Sequence, residues 1–332
     1  MTYDMTSLAT TTQPSRHDWS REEILALHRQ PLADLILAAQ SALRAHHDPS
    51  VIQRSRLINI KTGGCAENCG YCSQSAAFKT GLQATRLMTT ADVVAAARQA
   101  KEEGAQRFCM GAAWRDLKDR DVAAISDMIT GVKGLGLETC MTLGMLTTEQ
   151  SEQLADAGLD YYNHNLDTGP AYYPKVVTTR TYQDRLDTLG RVRDAGIKLC
   201  SGGILGMGEA VEDRADLFLE LAKLSPHPES IPINRLVPIE GTPLGKSEAI
   251  DDLEFVRWIA VARIMFPASH VRLAAGRNDM NDAMQALCLL AGANSIFVGE
   301  RLLTTDNPAM SVTDKLINEM SGPKVLEFEG SI

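Results

Sequence analysis

Short apolar runs, each followed by an amphipathic stretch and then a glycine, recur along the chain, and this alternation constrains the fold more than any other feature. Gly104, Gly136, Gly158, Gly196 and Gly292 each stand just before a new apolar run, where the left-handed residue that closes a helix is most easily glycine. Helix starts are also legible. Ser20-x-x-Glu23 and Thr89-x-x-Asp92 have capping-box form, and Thr147-x-x-Gln150 is a variant with Gln. The segments between these marks predict strands at Leu57–Lys61, Arg107–Met110, Leu137–Met141, Tyr161–Asn165, Lys198–Ile204, Ile231–Leu236, His270–Ala274 and Ser295–Val298. Helices fall between most consecutive pairs, so an α/β chain with a parallel sheet and helices outside is expected. Eight such units match a (βα)8 TIM-type barrel. A doubly wound open sheet is the alternative, but no G-x-G-x-x-G follows the first strand, so a dinucleotide site is not supported.

Two helices, Arg21–His28 and Pro31–His46, precede the first strand and predict an N-terminal helical extension that packs on the barrel. The expected organisation is a disordered Thr/Ser-rich tail at 1–18, a barrel domain with its N-terminal helices at 19–305, and a C-terminal appendage at 306–332. That appendage is expected to pack on the barrel or cross its mouth.

The formal net charge is -9, which argues against nucleic acid or an anionic membrane as a partner, since both need a basic face. No apolar stretch reaches 18 residues, so no membrane-spanning helix is expected. The N-terminus has no apolar core of a secretory signal, and the single Arg16 is a weak basis for an organellar presequence. A cytoplasmic location follows. Seven cysteines in such a chain are expected to be free, catalytic or metal-bound rather than paired in disulfides.

The strongest local signal is Cys65-x-x-x-Cys69-x-x-Cys72, which follows the first strand through Thr62-Gly63-Gly64. In a (βα)8 barrel that loop lies on the C-terminal face, where active sites form. Three thiolates within eight residues can hold three corners of an iron–sulfur cubane, and Gly63, Gly64 and Gly70 let backbone wrap it closely. Zinc is the alternative, but structural zinc usually takes four ligands, and no fourth Cys or His lies nearby.

Cys109, Cys140 and Cys200 fall on the second, third and fifth strands. Any one alone would read as a small buried hydrophobe. Three on different strands of one barrel can converge inside it, which points to a second metal site. Arg272 lies in the apolar strand His270–Ala274 and needs a partner there. A salt bridge in the barrel and contact with an anionic cluster both remain open. Cys288, in an apolar helix at Ala283–Ala291, is assigned to packing.

Cys-x-x-x-Cys-x-x-Cys with Tyr71 before its last cysteine resembles the signature of radical S-adenosylmethionine (SAM) enzymes. From about Trp19 to Thr305 the chain resembles the biotin synthase family. The motifs that carry this are Gly63 to Gln74, Arg107 to Trp114 (RFCMGAAW), Tyr161 to Thr168 (YYNHNLDT), Cys200 to Ile204, Asn234-Arg235-Leu236 and Arg272 to Arg277 (RLAAGR). The resemblance implies that Cys65, Cys69 and Cys72 hold a [4Fe–4S] cluster whose open iron binds SAM. It also implies that Cys109, Cys140, Cys200 and Arg272 hold a [2Fe–2S] cluster deeper in the barrel. These seven would be both the metal ligands and the catalytic centre. Tyr71, Ala112, Asn165, Asp167, Arg185 and Ile204 would contact SAM, with Asn165 and Asp167 on the ribose and Arg185 on the carboxylate. Asn163 and Asn234 would contact dethiobiotin. His164 is expected to be structural, because it alternates away from Asn163 and Asn165 on a strand. For Arg185 a solvated position on the helix Tyr182–Ala195 is the other reading.

The Gly-rich stretch Ser201 to Gly208 permits close backbone approach and lacks the ending of a phosphate loop. Glu209 and Glu212 are expected in the first turn of the helix after it. One departure is Gly169 after Asp167-Thr168, where the family carries Ser. The implied reaction is sulfur insertion between two unactivated carbons of dethiobiotin. A 5′-deoxyadenosyl radical abstracts hydrogen, and the smaller cluster donates the sulfur. The implied partners are a flavodoxin or ferredoxin electron donor, iron–sulfur assembly proteins and a second copy in a homodimer. The rival readings are another radical SAM enzyme with an auxiliary cluster and a non-catalytic metal-binding protein.

Overall fold

The computed structural model describes residues 15–321; most of the tail expected at 1–18, and the appendage beyond 321, lie outside them. Nine strands form one sheet: β1 (Gln53–Lys61), β2 (Arg107–Ala112), β3 (Glu138–Thr142), β4 (Tyr161–Asn163), β5 (Lys198–Cys200), β6 (Gly203–Leu205), β7 (Ser230–Arg235), β8 (His270–Leu273) and β9 (Ser295–Val298). Their order is β5-β4-β3-β2-β1-β9-β8-β7-β6, all parallel, and Cys200 of β5 also pairs with Ser230 of β7. That last pairing closes the sheet on itself. β5 and β6 are one stave broken at Ser201-Gly202, so the barrel has eight staves, as the alternation predicts.

The break has a packing cause. A Cβ on Gly202 would stand 2.0 Å from the Pro232 carbonyl oxygen, so the chain presses on β7 more closely than any side chain allows. The Gly202 carbonyl, turned out of the ladder, accepts from the amides of Leu166 (3.0 Å) and Asp167 (3.3 Å). β1 begins four residues ahead of the apolar run that announces it. Its first half turns Gln53 and Ser55 into the barrel while Arg54 and Arg56 face outward, so no hydrophobic alternation marks it.

The helices between the strands bury apolar stripes against the sheet. Asp119–Lys133 inserts Val122, Ile125, Met128, Ile129 and Val132, the three- and four-residue spacing of one helical face. Ser20 and Thr147 cap their helices with complete capping boxes, and the Thr89 hydroxyl accepts from the Asp92 amide. Asp252–Met265 is buried over most of its circumference, because Arg21–His28 and Leu32–His46 cover its outer side. There Trp258 stacks on Phe218 at 5.3 Å and on His28 at 4.7 Å between ring centroids. The N-terminal extension is thus a third layer over one side of the barrel. Among the described residues no helix is long and apolar enough to cross a membrane.

Candidate active site

β1 delivers the first thiol set. After Lys61 the chain turns through Gly63 (φ +66°) and Gly64 (φ +69°), a left-handed pair that costs glycine little. A Cβ on Gly63 would press within 3.2 Å of Ala84 Cα. The loop then closes on itself: the Cys65 amide donates to the Gln74 carbonyl (3.0 Å) and the Ala76 amide to the Cys65 carbonyl (2.8 Å). Asn68 pins it from outside by accepting from the amides of Thr178 (3.0 Å) and Thr179 (3.2 Å). Burial raises all three thiols, Cys69 to about 11 and Cys72 to about 12. Burial thus favours the neutral thiols, and a bound cationic metal centre would favour their ionisation.

The second set sits deeper. Cys109 of β2 and Cys140 of β3 are direct register partners, and Cys200 of β5 pairs with Asn163 of β4. All three are buried, at 4, 2 and 0% exposure. The hydrogen bonds Cys140 shares with both neighbours raise its own thiol and lower those of Cys109 and Cys200. Arg272 and Arg107 push the latter two further in the same direction.

Arg272 is 1% exposed. It donates to Ser295 Oγ (2.9 Å), Ser55 Oγ (3.0 Å) and Gln53 Oε1 (3.2 Å), and its Nη1 stands 3.8 Å from Cys200 Sγ. Among the described residues no carboxylate forms a salt bridge with it, so its charge faces neutral groups and thiols. Arg107, which the sequence reading passed over, is fully buried nearby. It pairs with Glu138 at 2.9 Å and lies 3.5 Å from the centre of the Tyr161 ring. Its place two residues before Cys109, on the same face of β2, is the signal that could have found it.

Polar residues from β4, the loop that follows it and β7 ring the mouth above. Asn163 Nδ2 donates to the Cys200 carbonyl (3.3 Å) and sulfur (3.2 Å). Asn165 Oδ1 accepts from the Gly202 amide at 3.2 Å. Asn234 bridges the Gly203 carbonyl (3.0 Å) and the Ala275 amide (3.1 Å). Asp167 has φ +67°, an uncommon conformation for a side-chain-bearing residue and one that clusters at functional sites. Its Oδ2 accepts from Tyr71 OH (2.8 Å) and Arg185 Nη2. Oδ1 is the oxygen left for another donor.

Arg185 is buried at 4% exposure, which corrects the solvated reading, and its helix ends at Asp194. Glu209 is corrected as well. The helix starts at Val211, and Glu209 lies before it, accepting from the amides of Gly206 and Met207 and pairing with Arg214. Cys288 is wholly buried in Asp282–Leu290, as packing requires. His164 is 4% exposed, and burial drives its pKa well down.

The two thiol sets and the polar ring open on one cavity of about 320 Å³. Both thiol sets and Arg272 line it, and so do Tyr71, Ala112, Asn163, Asn165, Asp167, Arg185, Ile204 and Asn234. His164 lines it too, together with residues the sequence reading missed: Trp114, Arg180 and the segment 302–305. The mouth is thus crossed before residue 306, with Thr304 Oγ1 held 2.8 Å from Ser73 Oγ. The later helix Met310–Ser321 packs on the barrel, burying Thr313, Leu316 and Ile317. Among the described residues no three His, Cys, Asp or Glu side chains are placed to hold a single metal ion. By donor type, two sets of soft thiols facing a shared cavity suit iron–sulfur clusters.

Comparison with known proteins agrees with this geometry. A model of the radical SAM superfamily matches residues 59–221, and one of the biotin and thiamin synthesis associated domain matches residues 232–321. Biotin synthase of Phenylobacterium zucineum (strain HLK1) is 63% identical over 305 residues, 92% of either chain. That of Hyphomonas neptunium (strain ATCC 15444) is 62% identical over 307 residues, 92% of this chain and 96% of the relative. Among solved structures, methylornithine synthase (PylB) superposes with a TM-score of 0.74 at 18% identity, covering 90% of this chain and 91% of its own, which is a likeness of fold.

Proposed function

This chain belongs to the biotin synthase family of radical SAM enzymes, and on that premise we propose that it inserts sulfur into dethiobiotin to form biotin. Cys65, Cys69 and Cys72 would hold a [4Fe–4S] cluster, and Cys109, Cys140, Cys200 and Arg272 a [2Fe–2S] cluster. When bound, these groups and SAM supply a 5′-deoxyadenosyl radical and the sulfur atom. The observation that carries the reading is the convergence of two three-thiol sets on one cavity, with an Arg272 that no carboxylate among the described residues neutralises beside the deeper set.

The chain's own residues have three tasks. Arg272 and Arg107 hold positive charge against Cys109 and Cys200 and, after the Cys140 hydrogen bonds, lower the pKa of both thiols against the opposing effect of burial. Asp167, fixed by Arg185 and Tyr71, presents Oδ1 to ribose hydroxyls while Asn165 offers both donor and acceptor. Asn163 and Asn234 line the cavity that the two thiol sets share and offer the amide partners a ureido ring needs. The apolar wall from Leu57, Ala112, Phe297 and Leu302 excludes water from reactive carbon. A flavodoxin or ferredoxin as electron donor, assembly proteins that rebuild the smaller cluster, a homodimer and a cytoplasmic location complete the proposal.

The test is iron and sulfide analysis with Mössbauer spectra on anaerobically reconstituted protein and its Cys140→Ala variant. Two distinct clusters are expected, with only the [2Fe–2S] signal and biotin formation lost in the variant. Full biotin turnover in Cys140→Ala would sink the sulfur-donor assignment. A single cluster untouched by the substitution would leave a radical SAM enzyme of another kind.

A further inference from the structure

The three-cysteine loop comes close to the surface on its outer side, away from the cavity. Gly70, next to Cys69, is bonded at both ends of its residue: its amide donates to the Val176 carbonyl (2.9 Å) and its carbonyl accepts from the Leu244 amide (3.0 Å). A few residues earlier, Gly241 lies so close to Lys79 that a Cβ would stand 2.2 Å from the Lys79 carbonyl oxygen. Three segments from distant parts of the chain, around Lys79, Val176 and Leu244, are therefore gathered on this side of the loop. Val176 and Val177 pack with Cys69, and half-buried Leu244 packs against that same cluster, with Pro243 exposed beside it. Little protein separates Cys69 from solvent here.

Each of these segments carries one lysine: Lys79, Lys175 and Lys246. All three are exposed. Among the described residues none of them forms a salt bridge, whereas exposed Lys118, Lys133 and Lys223 each pair with a carboxylate. Arg86, exposed and close to Ala84, which packs on Gly63, adds a fourth cation. Glu240 and Glu248 are the carboxylates of residues 76–86, 170–178 and 238–248, so the local balance stays positive on a chain whose net charge is -9. An apolar centre with a charged rim is the anatomy of a protein docking site. Cations without a partner of their own project a field that steers an anionic partner inward.

We propose that this face, centred on Leu244 and rimmed by Lys79, Lys175 and Lys246, docks a small acidic protein that carries one electron. The inference rests on the proposed function, which needs an electron at the site held by Cys65, Cys69 and Cys72. The docked carrier is oxidised by one electron and the group on those thiols is reduced by one. Delivery from the Gly70 side leaves the cavity free for SAM and dethiobiotin.

The experiment compares reconstituted wild type with a variant carrying Lys79→Glu, Lys175→Glu and Lys246→Glu, and with a control carrying Arg44→Glu and Arg98→Glu, two exposed positions on the helices Leu32–His46 and Thr90–Glu102. Iron content is recorded for each. The probe is a flavodoxin of net negative charge, whose dissociation constant and rate of cluster reduction are measured. Photoreduced 5-deazaflavin, a small reductant that needs no docking face, is the reference. At low salt the triple reversal is expected to weaken flavodoxin binding and slow its electron delivery about ten- to a hundredfold, with reduction by deazaflavin unchanged. Raising the salt should erase the advantage of wild type. Unchanged flavodoxin binding and rate, the same loss in the control, or a parallel loss with deazaflavin would overturn the proposal. If the triple reversal loses iron, Gln at the same three positions, compared at equal iron content, decides. Wild type whose iron is not reduced even by deazaflavin would instead refute the enzyme assignment on which this surface rests.

Discussion

Asp167→Asn isolates the charge at the centre of the polar ring. Asn is among the side chains that best tolerate the left-handed conformation Asp167 adopts, and it keeps the size of the carboxylate. What it removes is the anion that faces Arg185 Nη2 and Tyr71 OH. Asp167 is 1% and Arg185 4% exposed, so the guanidinium would remain in a nearly dry place without its counter-charge. Breaking one partner of such a pair costs about 3–5 kcal/mol. The cavity opens beside this pair, which allows some solvent response and favours the lower figure, about 3 kcal/mol. Arg185→Gln should cost about as much, and the double variant clearly less than the sum of the two. The assay is urea unfolding of the cluster-free chain, read by far-UV circular dichroism, for all four members of the cycle. A coupling energy of about 1.5–3 kcal/mol is expected, the upper part of the range for directly contacting residues. Coupling below about 0.5 kcal/mol would refute the pairing and, with it, the fixed orientation of Asp167 Oδ1.

Three further outcomes follow from particular contacts. Arg272→Met removes a buried cation that, among the described residues, is held by neutral groups, and Ser295 Oγ and Gln53 Oε1 already bond each other at 2.9 Å. The cluster-free chain should be unchanged or firmer in urea while iron uptake by the deeper thiol set falls; a loss of more than about 2 kcal/mol would contradict the geometry. Gly169→Ser installs the residue expected there from the family resemblance, yet its Cβ would stand 2.3 Å from the Asp213 carbonyl oxygen. A lower unfolding midpoint, by about 1–3 kcal/mol, is expected, and no change would mean the helix at Val211–Lys223 gives way freely. Glu254, bonded to His28 and Trp258 and close to Arg214, has its pKa lowered from 4.5 to about 2 despite burial that acts the other way. A depressed carboxylate contributes stability in full above its unfolded pKa, and that contribution declines as pH falls toward the folded one. Glu254→Gln should therefore flatten acid destabilisation between about pH 4.5 and 2, and identical acid titrations of the two proteins would count against the pair.

The barrel was legible because its signals are local. Glycines that end helices, threonines and serines that begin them, and apolar runs between them obey short-range rules that need no partner to read. The cysteine loop was legible for the same reason, its ligands lying within eight residues of one another. Where the local rule failed, an inward polar side chain was the cause. Gln53 and Ser55 face the barrel interior to receive Arg272, so the first half of β1 carries no apolar alternation. Arg107 and Arg180 were passed over because a guanidinium in a loop or at a strand base looks solvated until its surroundings are known.

The composition and order of residues by themselves determined an eight-unit α/β barrel, a three-thiol loop on its C-terminal face and three more thiols on inner strands. Only the tertiary structure decided that, among the described residues, Arg272 meets no carboxylate and Arg180 is not satisfied, that Arg185 is bound up with Asp167, and that segment 302–305 crosses the mouth. Each of those depends on residues brought together from distant parts of the chain. Periodicity reports which face a residue takes, and the folded partners alone decide whether a buried charge finds its match.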